Sequence, residues 1–588
     1  MADTKQDVLD MLRDLAELTM LDEGDPQSFR VRAYESAAQA VAAQANDLGT
    51  LTAKDLQKIE GIGKSTSEKI RELLETGRVE KLEALRAKHP STVLALLRIP
   101  GLGPKAVKKL RAELRIESVD DLRHALAGHK LRELPGFGAK SEVKLAQALA
   151  RLDEQGDVGR TPIAVALPLA NRIVAHLREV KGVLHAEYCG SLRRFSETIG
   201  DVDVVVAATD PEPVMEALTG MTTLVDRVLG RGAAKTSIVT RRGTQVDLRV
   251  VTPRQLGAAL LYFTGSKGHN IKLRQRALAR GLTLNEYALS KVDGGDVVAS
   301  ETEAQIYEAL GLPWIPPVLR EDQGEIEAAE KGLLPAPLGD VIGDFHCHTS
   351  VSGDGRSSLD EVVDAALARG VRVLAITEHA ERTVSGVGRD VLLAQRDAIR
   401  AMREKLGMKL VLLHGVELNI DRHGELDWDP GFRATFDWCL ASIHDHFDLD
   451  RATQTKRVVR AMQDPSVRMI GHLSARMIGA RPPIELDLDA VFDAAEQTGT
   501  ALEINGGLPR LDLSVETLRR ARARKFPIVL TSDAHRADEL QRVDYAARNA
   551  EKAWLDRDRV ANTWGAARLA AWATGGKSAP ARDRSSTK

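Results

Sequence analysis

The sequence predicts a protein of several domains: an α-helical N-terminal region, a mixed α+β middle and a C-terminal parallel α/β barrel or sheet. Three observations predict it. The chain has 588 residues, more than one hydrophobic core supports. Residues 1–150 are rich in Ala, Leu, Lys and Glu, with Gly-containing turns between short helical patterns. Residues 340–570 alternate short apolar runs with helical stretches, the pattern of parallel strands joined by helices.

Within the helical region one pattern recurs: IEGIGKSTSEKI (59–70), IPGLGPKAVKKL (99–110) and LPGFGAKSEVKL (134–145). Each copy is an apolar residue, two glycines flanking another apolar residue, and a basic amphipathic helix. The glycine pairs are Gly61 and Gly63, Gly101 and Gly103, and Gly136 and Gly138. They allow a tight turn, and the following helix can offer its first backbone N–H groups to a phosphate. Contacts of that kind hold nucleic acid without reading its sequence. The net charge of −2 hides a matching asymmetry: residues 51–150 carry 20 Lys and Arg against 13 Asp and Glu, Lys105 among them, whereas residues 1–50 carry 4 against 10. Ordinary αα-hairpins with glycine turns are the alternative, less favoured with three copies than with one.

RLDEQGDVGRTP (151–162) is polar and Pro-terminated, as a linker would be. From 163 to about 312, helices mix with strand-like runs such as DVDVVVA and QVDLRVV. On a strand, Asp201 and Asp203 share a face, and Asp247 adds a third carboxylate at the same period. Three such oxygens suit two Mg²⁺ ions of a phosphoryl transfer. The D-x-D pair alone is equally consistent with a solvent-facing edge strand.

The Pro-rich, charged segment 312–339 reads as a connection. Beyond it the apolar runs VLAIT, LVLLHGVEL, RMIGHL, ALEIN and PIVLTSD end on or beside polar residues. Those residues are His346, His348, His379, Glu417, His444, His472, Asp533 and His535. A lone histidine there is more often structural than a ligand. Eight such groups on one barrel face suit Zn²⁺, Mn²⁺ or Fe²⁺. Cys347, between two of them, should point into the core. No apolar run reaches membrane-spanning length, and three scattered cysteines make no disulfide framework, so a cytoplasmic protein is expected.

The motifs also carry resemblances. The three glycine turns resemble helix-hairpin-helix motifs. GSLRRFSETIGDVDVVV (190–206) resembles the palm signature of family X DNA polymerases. LYFTGSKGHNIKLRQRALARGLTLNEYAL (261–289) is similar to their nucleotide-binding segment, and SFRVRAYESAAQAV (28–41) to their N-terminal domain. The resemblance implies that Asp201, Asp203 and Asp247 hold Mg²⁺ or Mn²⁺, with Asp247 helping to activate the primer hydroxyl. Gly190, Ser191, Arg194 and Gly265 would serve the triphosphate, Tyr262 and Phe263 the sugar, and Asn270 and Arg274 the base pair and template. Lys267 stands where some relatives carry an acidic residue. Lys69 aligns with a lysine that some members use to form a Schiff base with an abasic sugar; a phosphate-contacting or solvated lysine is the favoured alternative.

The histidine set, with LEINGGLPRLDL (502–513), resembles the PHP (polymerase and histidinol phosphatase) domain, a trinuclear-metal phosphoesterase. Carried over, His346, His348, Glu417 and Asp533 would bind one metal, and Glu417, His444 and His472 a second. His379, His535 and Asp354 would bind the third, Mn²⁺ or Zn²⁺ being expected at all three. The opening loop Ser352-Gly353-Asp354-Gly355 is one residue longer than usual, and Glu378 stands where Asp is commoner.

The resemblances together imply an N-terminal helical lyase-like domain (1–90), a helix-hairpin-helix region (91–160), a nucleotidyltransferase-like palm (161–255) and a nucleotide-binding subdomain with the thumb and fingers (256–315). A linker (316–340), a (β/α) PHP barrel (341–575) and a disordered tail (576–588) complete the chain. The implied function is gap-filling repair synthesis from deoxynucleoside triphosphates, with 3′–5′ exonuclease or 3′ end processing and an abasic-site endonuclease activity. DNA with gaps or 3′ ends is the expected partner of a monomeric, nucleoid-associated protein. The alternatives are a DNA-binding PHP nuclease with a weak or inactive polymerase half and a scaffolding protein with both sites decayed.

Overall fold

A computed structural model describes residues 4–575, apart from scattered positions within 26–50, 77–101 and 135–159 and the pairs 222–223 and 241–242. Gly101, residues 151–159 of the expected linker and the tail 576–588 lie outside the described residues. The chain divides into two compact units, one of Met1–Arg160 with Asp322–Gly324 and the other of Thr161–Glu321 with Glu325–Lys588. No described helix is long and apolar enough to cross a membrane.

The first unit is helical, as its composition predicts. Its long helices Thr4–Glu23 and Phe29–Ala43 bury Leu12, Leu15 and Ala37 against Ile62 and Ile70 of the first glycine repeat. The three repeats share one backbone hydrogen bond. In each, the apolar residue between the glycines donates its N–H to the carbonyl of the apolar residue that opens the turn. The pairs are Ile62 to Ile59 at 3.0 Å, Leu102 to Ile99 at 3.0 Å and Phe137 to Leu134 at 2.9 Å. Gly61 (φ +97°) and Gly136 (φ +90°) occupy the left-handed region, where a side chain is strained. Among the described residues, no atom lies within 4 Å of where a Cβ would stand on the second glycines, Gly63, Gly103 and Gly138.

The second unit opens with a five-stranded sheet. Its strands, in chain order, are β1 (Val183–Tyr188), β2 (Val202–Ala208), β3 (Val225–Arg231), β4 (Lys235–Thr240) and β5 (Gln245–Val251), in the spatial order β1-β2-β5-β4-β3. The central pair β2 and β5 is parallel, and every other pair is antiparallel. The apolar run of β2 is buried along its length, as a central strand requires. Helix Ile163–Arg178 covers the sheet with Ile163, Ala170 and Ile173.

The segment 316–340 is more than a tether. Val318, Leu319 and Ile326 are buried in the same core as the five-stranded sheet, and Leu338 is buried in the core of the region that follows.

That last region is a parallel sheet of seven strands in chain order: β6 (Gly343–Asp344), β7 (Val373–His379), β8 (Val411–Asn419), β9 (Trp438–Ser442), β10 (Val467–Ile470), β11 (Ala501–Asn505) and β12 (Ile528–Thr531). The sheet curls until its ends meet. Beyond β6 and β12, Cys347 and Ala534 form a parallel bridge, with the Asp533 backbone N–H donating to the His346 carbonyl (2.9 Å) and the His348 backbone N–H to the Ala534 carbonyl (2.8 Å). This resolves the choice between barrel and sheet in favour of a near-closed barrel. Helices on its outside begin at side-chain caps, including Ser358, Asp450, Asp487 and Ser514, which hold the first free N–H groups.

Candidate active sites

The first site forms where β2 and β5 run side by side. Their register sets Asp203 directly beside Asp247, and Asp201 stands one residue before β2. Carboxylate oxygens of all three lie within 4.8 Å of one another. Burial, then the charges of Asp201 and Asp247, push the Asp203 carboxyl up to about 7. Like charges held this close need cations or protons between them. Asp247 is itself oriented by the Ser237 hydroxyl and by the Gln245 amide at 2.9 Å.

Beside these carboxylates, the turn Gly190–Arg193 carries the glycine-serine pair. Gly190 has φ +63°, and a Cβ there would lie 2.5 Å from Asp203 Oδ2. Arg194 reaches across to donate to the Thr264 carbonyl (2.6 Å), next to Gly265 (φ +70°). Arg193 is bound by Thr264 Oγ1 (2.7 Å) and by both oxygens of Glu303 (2.9 and 3.1 Å), which also accepts from the buried Arg320 (2.6 Å). Tyr262 and Phe263 pack edge to face, and the Tyr262 carbonyl accepts from Asn270 Nδ2 at 2.7 Å. Arg274 is exposed one helical turn on and donates to the Asn270 carbonyl at 3.4 Å. Gly190 thus abuts the carboxylate cluster, Arg194 bonds the Thr264 carbonyl beside Gly265, and Tyr262, Phe263, Asn270 and Arg274 follow one another on the adjoining helices.

Lys69 belongs to the first unit. Its ammonium donates to the Ser65 hydroxyl (2.8 Å) and carbonyl (3.1 Å), and burial draws its pKa below the usual lysine value. Lys105 is exposed, whereas its neighbour Lys108 donates to the Asp22 carbonyl at 2.9 Å.

The second site lies at the C-terminal end of the barrel. His379 closes β7, Glu417 sits near the end of β8, and His444, His472 and Asp533 each follow β9, β10 and β12 by two residues. Glu417 is the hub. Its two oxygens lie 3.4 Å from His346 Nε2, 2.7 Å from His379 Nδ1, 3.2 Å from His444 Nε2 and 3.1 Å from His472 Nε2. Asp533 Oδ1 is 3.5 Å from Nε2 of both His346 and His348. Burial alone would raise the Glu417 carboxyl; His346, His444 and His379 hold it well below its ordinary range. Burial, then the charge of His379, draw His348 down to about 3 against the pull of Asp533, and the low value favours the neutral form that a cation needs.

The groups fit metal ions by chemistry as well as by position. His346 Nε2, His348 Nε2, His444 Nε2 and Glu417 Oε2 are buried without a hydrogen-bond partner among the described residues. Three sets of donor atoms fall within 4.8 Å: His346, His348 and Asp533; His379, Glu417 and His444; and His348, His379 and His535. These partition the ligands differently from the expected sets, because His348 stacks between His379 and His535 at 4.3 Å from each and borders two of the sets. Asp354, displaced by one residue in sequence, still reaches the cluster: its Oδ2 is 3.4 Å from His379 Nε2 and 3.5 Å from His535 Nε2.

Three residues missed from the sequence set the histidines. Glu503 accepts from His346 Nδ1 (2.6 Å) and from the backbone N–H of His472, which turns His346 Nε2 inward. Asn505 donates to Asp533 Oδ2 (3.0 Å), and Arg510 Nε approaches the same oxygen at 3.8 Å. All three lie in the quoted segment LEINGGLPRLDL, and their alternation on β11 was the signal available for Glu503 and Asn505. Glu378 does not face the cluster. It accepts from the backbone N–H groups and hydroxyls of Thr349 and Ser352 and from Gln395, pinning the opening loop. Cys347 is buried in the core, where its thiol meets the Ala375 carbonyl.

Comparison with known proteins bears on both sites. Residues 3–79 match a helix-hairpin-helix domain, 93–151 a SAM-like helix-hairpin-helix tandem, 259–321 the DNA polymerase beta thumb and 344–506 the PHP domain. DNA polymerase lambda of Rattus norvegicus is 27% identical over 291 residues, 45% of this chain and 48% of that protein. A probable phosphatase of Thermoanaerobacter sp. (strain X514) is 29% identical over 236 residues, 38% of this chain and 91% of that protein. One relative spans both halves: the DNA polymerase/3′-5′ exonuclease PolX of Bacillus subtilis (strain 168) is 34% identical over 562 residues, 95% of this chain and 97% of that protein. A carboxylate cluster beside a polymerase thumb and a histidine cluster on a PHP barrel thus occur in one chain matched almost end to end, and the chain belongs to the family of PolX-type, family X DNA polymerases with a C-terminal PHP domain.

Proposed function

We propose that the protein is a gap-filling repair polymerase that also resects 3′ ends. The pairing of Asp203 with Asp247 across β2 and β5, beside the Gly190 turn, carries the polymerase reading. Divalent cations bound at the two clusters would neutralise developing phosphate charge and, at the histidine site, activate the water that hydrolyses the bond. The protein's own side chains do the positioning. Ser191 and Arg194 hold the triphosphate, Tyr262 and Phe263 flank the sugar, and Asn270 and Arg274 face the base pair. Asp247, fixed by Ser237 and Gln245, receives the proton of the primer hydroxyl. The helix starts after Gly63, Gly103 and Gly138 grip the DNA backbone through their N–H groups.

At the barrel, His346, His348, Glu417, Asp533, His379, His444, His472, His535 and Asp354 hold the cations, and Glu503 and Asn505 orient them. Arg510, at the rim of this cluster, meets the scissile phosphate. An abasic-sugar lyase step at Lys69 is a second reading, supported by the lowered pKa of that half-buried amine.

Primer extension on gapped DNA and resection of a 3′ end, measured on Asp203→Asn and on His346→Ala/His348→Ala, test the assignment. Asp203→Asn should lose extension and keep resection, and the histidine variant the reverse. Extension by Asp203→Asn at the parent rate refutes the polymerase assignment; resection by the histidine variant at the parent rate refutes the other.

A further inference from the structure

The glycine-serine turn that faces the carboxylates is held from behind by the barrel. Helix Val543–Lys552, on the barrel's outer side, ends in a lysine that is only 8% exposed. The Lys552 ammonium donates to the backbone carbonyl of Arg194 at 2.6 Å and to Glu321 Oε1 at 2.5 Å. The same Glu321 oxygen lies 3.3 Å from Arg194 Nε. One carboxylate therefore ties the barrel lysine to the polymerase arginine.

The neighbouring residues are gripped in the same way. Phe195 adopts φ +56°, a left-handed conformation costly for an aromatic residue. Tyr545 stacks on its ring at 5.9 Å, and the Arg548 guanidinium lies 5.6 Å from the ring centroid. Glu197 makes a bidentate pair with Arg476, at 2.8 and 2.9 Å. Arg194, Phe195 and Glu197, just past the turn that carries Ser191, thus take partners from the PHP region.

We infer that Lys552 is a positioning residue for the polymerase site: through Glu321 and the Arg194 carbonyl, the PHP barrel sets the guanidinium that receives the incoming triphosphate. The inference rests on the assignment of Arg194 to the triphosphate. A barrel that served only as a separate nuclease would need no such brace. The brace acts on ground-state binding of the nucleotide, so its loss raises KM more than it lowers kcat.

The test uses the full-length protein and steady-state single-nucleotide insertion on gapped DNA. Lys552→Met keeps the length of the side chain and removes its charge. It should raise KM for the deoxynucleoside triphosphate about tenfold while kcat stays within about twofold, with 3′ resection unchanged. Glu321→Gln keeps the shape of the side chain that links Lys552 to Arg194 and removes its charge, so it is the second variant and should raise KM about threefold. Unchanged KM in a folded Lys552→Met overturns the inference. If Lys552→Met does not fold, unchanged KM in Glu321→Gln overturns it, and a KM rise there supports it. A wild-type protein that resects but extends no primer sinks the polymerase reading and this inference together, whereas an active wild type with indifferent variants sinks only the inference.

Discussion

Gly190 and Asp203 are in van der Waals competition: no side chain fits at position 190 without displacing the Asp203 carboxylate, because a Cβ would come within 2.5 Å of its Oδ2. The left-handed φ of Gly190 adds backbone strain to the clash. Gly190→Ala should therefore lower kcat for primer extension by about 100-fold, the scale of a misplaced reacting group. Resection, at a cluster built from other residues, should stay at the parent rate. Parallel kinetics of the two reactions on one preparation check this.

Asp354 bridges His379 and His535 from a loop of unusual length. Asp354→Ala should reduce resection by about 100-fold and leave extension untouched. Elemental analysis of the purified variant should show less bound metal per chain than the parent. Equal metal content with equal resection would remove Asp354 from the site.

Glu378 has no role at the metals in this geometry, and its substitution acts through the loop. A neutral amide at this position cannot accept from all the donors of Thr349 and Ser352, so Glu378→Gln leaves buried donors unpaired, at a cost of about 1–3 kcal/mol each. The expected result is a lowered melting transition and reduced resection, both visible by calorimetry and a nuclease assay.

Glu303 stands between Arg193 and Arg320, both bonded to it. Burial would raise its carboxyl, but Arg320 and then Arg193 hold it down at about 2. A depressed carboxylate stabilises the fold in full above the ordinary value near 4.5, and that contribution is lost as pH falls toward 2. Glu303→Gln strands two buried guanidinium groups and should cost about 3–5 kcal/mol. Urea titrations at pH 7 and pH 3 check both statements: the gap between parent and variant should narrow at the lower pH.

Much of this was legible in the sequence because the chemistry repeats at the periods of secondary structure. Asp201 and Asp203 announce a strand face, and the histidines mark the ends of apolar runs. The placement of Asp247 beside Asp203 needed the register of β5 on β2, which no local pattern encodes. Likewise, the sequence could name the candidate donor groups but not divide them into clusters, since His348 borders two clusters only after the barrel has curled. Glu503 looked like an ordinary strand residue in ALEIN because its partner, His346, is remote in sequence. The connection 316–340 read as a tether from its prolines and charges, yet Leu319, Ile326 and Leu338 are core residues. Composition reports solvation, and short apolar anchors inside a polar segment escape it.

The way the barrel closes fixes when each activity can mature during synthesis. The carboxylates of the polymerase site are all in hand once Asp247 has left the ribosome. The histidine cluster cannot exist until His535 emerges, since the last strand must come round to meet the first. The brace on Arg194 waits longer still, for Lys552. A nascent chain stalled before that point would carry the polymerase carboxylates with neither a finished nuclease beside them nor a fixed seat for the triphosphate. The histidine cluster is therefore completed well after the polymerase carboxylates, and a chain released between the two would lack the groups that resect a 3′ end.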